Sequence, residues 1–181
     1  MDRSGSIRCP RGQYLPGLNA GLYPVQQMEK VVERLIHNHP HCRIFLFGGG
    51  QTETPVMDAW EDKYPQVVNA SGKLHGISDE LILMSHLRLM ISMDSGNMHL
   101  ASLVNTPVVS VWGATHPYAG FMGWHQSPDN AVQLDMPCRP CSIYGNKPCM
   151  RGDFACMKNI SPELIVEKVE NVLNENAKKS H

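Results

Sequence analysis

The 181-residue sequence predicts an α/β fold, a parallel sheet with helices on both faces, on three observations. Short apolar runs alternate along the chain with stretches whose apolar residues fall at helical spacing. The runs "IFLF", "LMISM" and "PVVSVW" are apolar almost throughout, as parallel strands buried on both faces must be. Gly-containing polar turns separate the runs from the helices, and right-handed crossovers then make the sheet doubly wound.

Residues 1–21 are rich in Gly, Pro, Arg and Ser and read as irregular, with only the short "SIRC" around Ile7 as a strand candidate. Residues 22–181 form the domain. "PVQQMEKVVERLIHNH" spaces Val25, Met28, Val31, Val32 and Leu35 for one helical face, with Pro24 at its start. "CRIFLFGGG" is a buried strand entering a triple-Gly turn, and "TETPVMDAWEDKY" is a helix. "VVNA" is a short strand, and "SDELILMSHLRL" a helix with Ser78 as N-cap. "LMISM", the turn "DSGNMH", the helix "NMHLASLV" and the strand "PVVSVWG" follow. "AVQLD" is a last strand, residues 138–156 are a Cys-rich segment, and "SPELIVEKVENVLNENAKK" is an amphipathic helix capped by Ser161. The arrangement is Rossmann-like.

Composition narrows the function. A formal net charge of -1 leaves no basic surface for nucleic acid and no polybasic run for an anionic membrane. The start has no apolar h-region, and no apolar run is long enough to span a bilayer. The cytoplasm is the expected location. Six Cys without a secretory signal suggest thiols or a metal site before disulfides.

In a doubly wound sheet, ligands bind beyond the carboxyl ends of the strands. "DSGNMH" lies at such an end and opens a helix, whose first-turn N–H groups can grip an anion. Gly96 lets backbone approach a phosphate, and the Ser95 hydroxyl can add a hydrogen bond. Asp94 suits capping of backbone N–H groups, and His99 can donate to a phosphate or leaving group. Alone, Asp-Ser-Gly is also a common N-cap turn, and a single His on a half-apolar helix is more often packed than liganded. Two further loops, "GGGQTET" and "WGATHP", converge on the same edge and favour a binding crevice.

"DSGNMHLASLVNTPVVSVWGATHP" closely resembles the motif D-[ST]-G-x-x-H-x-A-x-x-x-x-x-P-V-V-x-x-[FW]-G-x-T-x-P of the ADP-heptose:lipopolysaccharide heptosyltransferases, glycosyltransferase family 9. "LYP", "FLFGGGQTE" and "CRPCSIYGNKPCMRGDFACM" fall in the family's order, so the resemblance runs from Leu22 to the C-terminus. It implies the C-terminal, nucleotide-sugar-binding half of a GT-B enzyme. By position, Ser95, Gly96, Asn97 and His99 resemble the donor diphosphate loop, with Asp94 and Thr115 in support. Glu53 resembles the ribose-binding acid, and Met90 to Met93 with the "HGIS" loop would wall the base pocket. An ADP-linked sugar is the expected partner, with no cofactor required, in lipopolysaccharide or cell-surface glycan synthesis.

Two departures stand out. Gly21 occupies the place of the family's phosphate-neutralising Lys, and nothing resembles the N-terminal acceptor domain or its catalytic base. The chain alone is therefore expected to bind donor without transferring sugar. Cys138, Cys141, Cys149 and Cys156, in C-x2-C-x7-C-x6-C, rank as structural thiols first, a zinc site second and disulfides last. "HNHPHC" reads as a polar helix end rather than a metal tract. A free-standing nucleotide-sensing module and a zinc-stabilised interaction module are the other functional readings. A doubly wound sheet has its first strand in the middle, so either the N-terminal segment enters that place or two chains associate, as a homodimer, to cover it.

Overall fold

A computed structural model describes residues 23–51, 53–145 and 147–179. The N-terminal "SIRC" lies outside the described residues. The first helix, α1 (Val25–Asn38), buries Met28, Val31, Val32 and Leu35, the face that its spacing predicts. Ahead of it Tyr23 is 2% exposed, and its hydroxyl donates to the Ile160 carbonyl at 3.0 Å. The start of the domain is thereby tied to the turn that leads into its last helix.

Strands β1 (Ile44–Leu46) and β2 (Val67–Asn69) run parallel, Ile44 opposite Val67 and Leu46 opposite Asn69, with α2 (Thr54–Lys63) crossing between them. Helix α3 (Ile77–Ser85) starts one residue before the expected cap, so Ser78 lies inside it. Gly76, at φ 117°, makes that start, because its left-handed backbone suits glycine, and the Asp79 carboxylate accepts from the His75 N–H at 3.0 Å. Strand β3 (Met90–Met93), α4 (Gly96–Leu103) and β4 (Val108–Val111) form the next parallel unit.

Strand β5 (Ala131–Val132) pairs with β4 for only two residues, shorter than the expected "AVQLD". Just beyond it, Leu134 O and Gln133 Oε1 accept hydrogen bonds from Arg139. The Cys-rich segment also holds a short helix, α5 (Ala155–Lys158), which periodicity did not reveal. Helix α6 (Pro162–Lys179) begins where predicted, with the Leu164 N–H donating to Ser161 Oγ at 3.3 Å.

The parallel strands are covered on both sides. Ile91, Met93, Val109 and Val111 pack in a core with residues of α1, α2 and α6. Their neighbours Met90 and Val108 pack in a second core with Met84 of α3 and Met98 and Ala101 of α4. Each buried aliphatic side chain contributes about 1.5–3 kcal/mol. Among the described residues the sheet has two parts, β1–β2 and β3–β4–β5, with no pairing between β1 and β3. Apolar residues of both parts nevertheless share the first core. No described helix is long and apolar enough to cross a membrane.

Candidate functional site

Three loops leave the carboxyl ends of β1, β3 and β4. After β3, residues Asp94 and Ser95 lead into α4. Ser95 occupies the N-cap position in extended conformation, but its side chain makes no cap hydrogen bond. Its Oγ lies 3.1 Å from Ser92 Oγ instead. The first turn of α4 thus opens without a side-chain cap from Ser95. Gly96, exposed, has no neighbour within 4 Å of where a Cβ would stand, and its φ lies outside the left-handed region. Neither packing nor backbone conformation requires a glycine there.

Asn97 is 2% exposed, and its Nδ2 has no hydrogen-bond partner among the described residues. A buried amide donor without a partner costs roughly 1–3 kcal/mol, so the group favours any acceptor that can reach it. His99 is exposed on the same turn.

Asp94 is half-buried, with the Thr115 side chain and His99 near its carboxylate, so the loop after β3 lies beside the loop after β4. Burial pushes its carboxyl above the ordinary value; the Thr115 side chain and the nearby His99 pull the other way. Thr115 is 8% exposed. Next to it, His116 Nδ1 accepts from the Tyr118 N–H at 3.2 Å.

After β1, Glu53 folds back over the glycine turn, where its Oε2 accepts from the Gly49 N–H at 3.0 Å. A Cβ on Gly48 would stand 2.6 Å from that oxygen, so glycine there makes room for the carboxylate. The expected base-pocket wall is only partly present. Met90 to Met93 are sealed in the core, at 7% exposure or less, and do not face an open pocket. The "HGIS" loop does lie at the carboxyl end of β2, with Ile77 exposed.

Arg139, which the sequence reading passed over in favour of the cysteines around it, holds this edge together. Its guanidinium donates to the carbonyls of Gly113 and Leu134, to Thr115 O at 3.0 Å and to Gln133 Oε1 at 3.1 Å. The loop after β4 is thereby fastened to the segment after β5. Burial pulls the guanidinium below its ordinary value, against the neighbouring thiols of Cys156, Cys138 and Cys141. An arginine flanked by Cys138 and Pro140, at the head of the Cys-rich segment, was the available signal.

Cys138, Cys141, Cys149 and Cys156 are all free and border one small cavity of about 10 Å³ beside Arg139. Hydrogen bonds from the Phe154, Arg151 and Gly152 backbone hold the Cys149 thiol below its ordinary value, whereas burial raises Cys156. Among the described residues no three His, Cys, Asp or Glu side chains are arranged to hold a metal ion. The "HNHPHC" stretch is a helix end, where His39 Nε2 meets the Glu170 carboxylate of α6 at 2.9 Å.

Residues 17–148 match the family described as glycosyltransferase family 9 (heptosyltransferase). Lipooligosaccharide heptosyltransferase 2 of Campylobacter jejuni is 25% identical over 175 residues, covering 90% of this chain and 52% of that protein. The chain thus spans about half the length of this curated relative. The solved structure of E. coli ADP-heptose lps heptosyltransferase II superposes with a TM-score of 0.69 at 17% identity, over 98% of this chain and 49% of that one. TibC of enterotoxigenic E. coli, a dodecameric iron-containing heptosyltransferase solved with ADP-D-beta-D-heptose, gives 0.65 at 17% identity, over 95% and 45%. These likenesses establish the fold.

Proposed function

Because the chain belongs to glycosyltransferase family 9 (heptosyltransferase), we propose that the turn opening α4 binds the diphosphate of an ADP-linked sugar, for heptosyl-type transfer in lipopolysaccharide or other cell-surface glycan synthesis. The space at Gly96 carries this reading. A glycine that neither packing nor backbone requires leaves first-turn N–H groups open to phosphate oxygens. The buried Asn97 amide supplies a donor in need of an acceptor, and the Ser95 hydroxyl and His99 ring flank it. Asp94 and Thr115 fix the loop from behind, and Glu53, oriented by the Gly49 N–H, accepts from ribose hydroxyls. The ADP-D-beta-D-heptose held by TibC supports an adenine-linked donor.

Residues 22–181 are the donor-binding unit in this proposal. Since the chain matches half of its relatives, these 181 residues alone are expected to bind donor without transferring sugar. Isothermal titration with ADP tests the site. Gly96→Val should weaken binding roughly tenfold or more, about 1.4 kcal/mol, with an unchanged thermal unfolding midpoint. Equal affinity in the two proteins would remove the cradle assignment.

A further inference from the structure

The opposite end of the sheet carries a second concave surface. Asn105 and Pro107 precede β4, Asn130 precedes β5, and both stretches face the C-terminal half of α6 across a groove of about 600 Å³. Lys168 Nζ donates to the Asp129 carbonyl at 2.6 Å and fixes the spacing of the walls.

Trp124 stands in this groove, 68% exposed, whereas Trp60 and Trp112 are 4% and 0% exposed. Its exposure is imposed by its neighbours. A Cβ on Gly123 would collide with the Ser102 hydroxyl of α4, so the loop sits hard against that helix. On the other side, Gln126 Oε1 accepts from the Val108 N–H at 2.8 Å, and its Nε2 donates to the Thr106 carbonyl at 3.0 Å. Between these anchors His125 adopts φ 56°, a region non-glycine residues avoid, and its ring stacks on the indole at 4.5 Å and 25°. One face of a large apolar ring is thus backed while most of its surface is held in water. A ligand that covered it would recover that unfavourable exposure.

The lining identifies the ligand by its chemistry. Asn105, Asn130, Asn171 and Asn174 border the groove, and an asparagine amide offers both donors and acceptors. Lys168 and Lys178 are balanced by Asp129 and Glu175, so no net positive field favours a phosphate chain. Little apolar surface besides the indole is present to seat an amphipathic helix. An aromatic plane among neutral amides matches a sugar, whose C–H face stacks on the ring while its hydroxyls bond to the amides. We propose that this groove binds a short neutral oligosaccharide, at a site separate from the α4 cradle and independent of what the cradle holds.

With Trp60 and Trp112 buried, acrylamide quenching of the 181-residue protein reports mainly on Trp124. Titration with maltopentaose, chitotetraose and mannopentaose should protect Trp124 saturably for at least one of them, with an affinity on the order of millimolar. Glycerol should not protect it. By saturation-transfer NMR, Trp124→Ala and Asn174→Ala should weaken that oligosaccharide about fivefold or more, while titration with ADP gives the same result as for the unsubstituted chain. No saturable protection by any of the three sugars, or undiminished binding by Trp124→Ala, would overturn the proposal. Protection that instead grows with protein concentration alone, with a dimer mass in light scattering, would also overturn it and assign the groove to a second copy of the chain.

Discussion

The two ends of the sheet are made of opposite materials. At the carboxyl end, the proposed cradle is built from backbone, glycines and polar groups that are buried or nearly so, such as Asn97 and Thr115. At the amino end, the groove is lined by exposed amides and a tryptophan that protrudes into water. A site made of backbone depends on every contact that fixes the backbone. A site made of protruding side chains does not. Substitutions around the carboxyl end should therefore disturb fold and binding together, with Gly96 as the exception, while those at the amino end should alter binding alone.

The largest expected effect is at Arg139. Arg139→Met leaves the carbonyls of Gly113, Leu134 and Thr115 without their donor, and should cost on the order of 3 kcal/mol. Urea unfolding measures it, and Arg139→Lys should recover little, because an ammonium cannot reproduce a planar fork of donors. ADP affinity should fall as well, since the loop that carries Thr115 is released. If stability stays unchanged, the carboxyl end is not held as argued.

Next is Gly113→Ala. Its Cβ would stand 2.6 Å from the Met157 side chain of α5, and overpacking of this kind costs about 1–3 kcal/mol. Set beside Gly96→Val, where nothing is met, the pair separates a glycine needed for packing from one that leaves space for a ligand. Equal unfolding midpoints for both variants would erase that distinction.

The smallest effect is one of sign. Burial raises the folded-state pKa of Asp94, so its ionisation works against the fold. That penalty is absent in acid below the ordinary carboxyl value, and it sets in as pH rises through the raised folded value. Asp94→Asn should then match the unsubstituted chain in acid and unfold at a slightly higher temperature at neutral pH. A lower midpoint at neutral pH would mean that the favourable interactions of the carboxylate with Thr115 and His99 outweigh burial. Thermal scans at two pH values decide it.

The sequence by itself determined the alternation of strands and helices, because periodicity and hydropathy are local properties of a run of residues. The face of α1, the two-sided burial of β3 and β4, and Ser161 at the head of α6 were all legible. So was the position of the "DSGNMH" turn at a strand's carboxyl end. The family was legible too, since its motif is long and contiguous. What only the tertiary structure decided depends on partners distant in the chain. That Asp94 would be half-buried beside Thr115, on the next strand's loop, could not be read from the turn alone. Met90 to Met93 looked able to wall a pocket and are sealed by helices on both faces. Strand β5 spans two residues, and just beyond it the Gln133 side chain and the Leu134 carbonyl accept from Arg139, further along the chain. Trp124 reads as one more apolar residue until α4 and the start of β4 are seen to hold it out in water. Spacing along a chain records which residues share a face; which groups meet across elements is settled only when the elements pack.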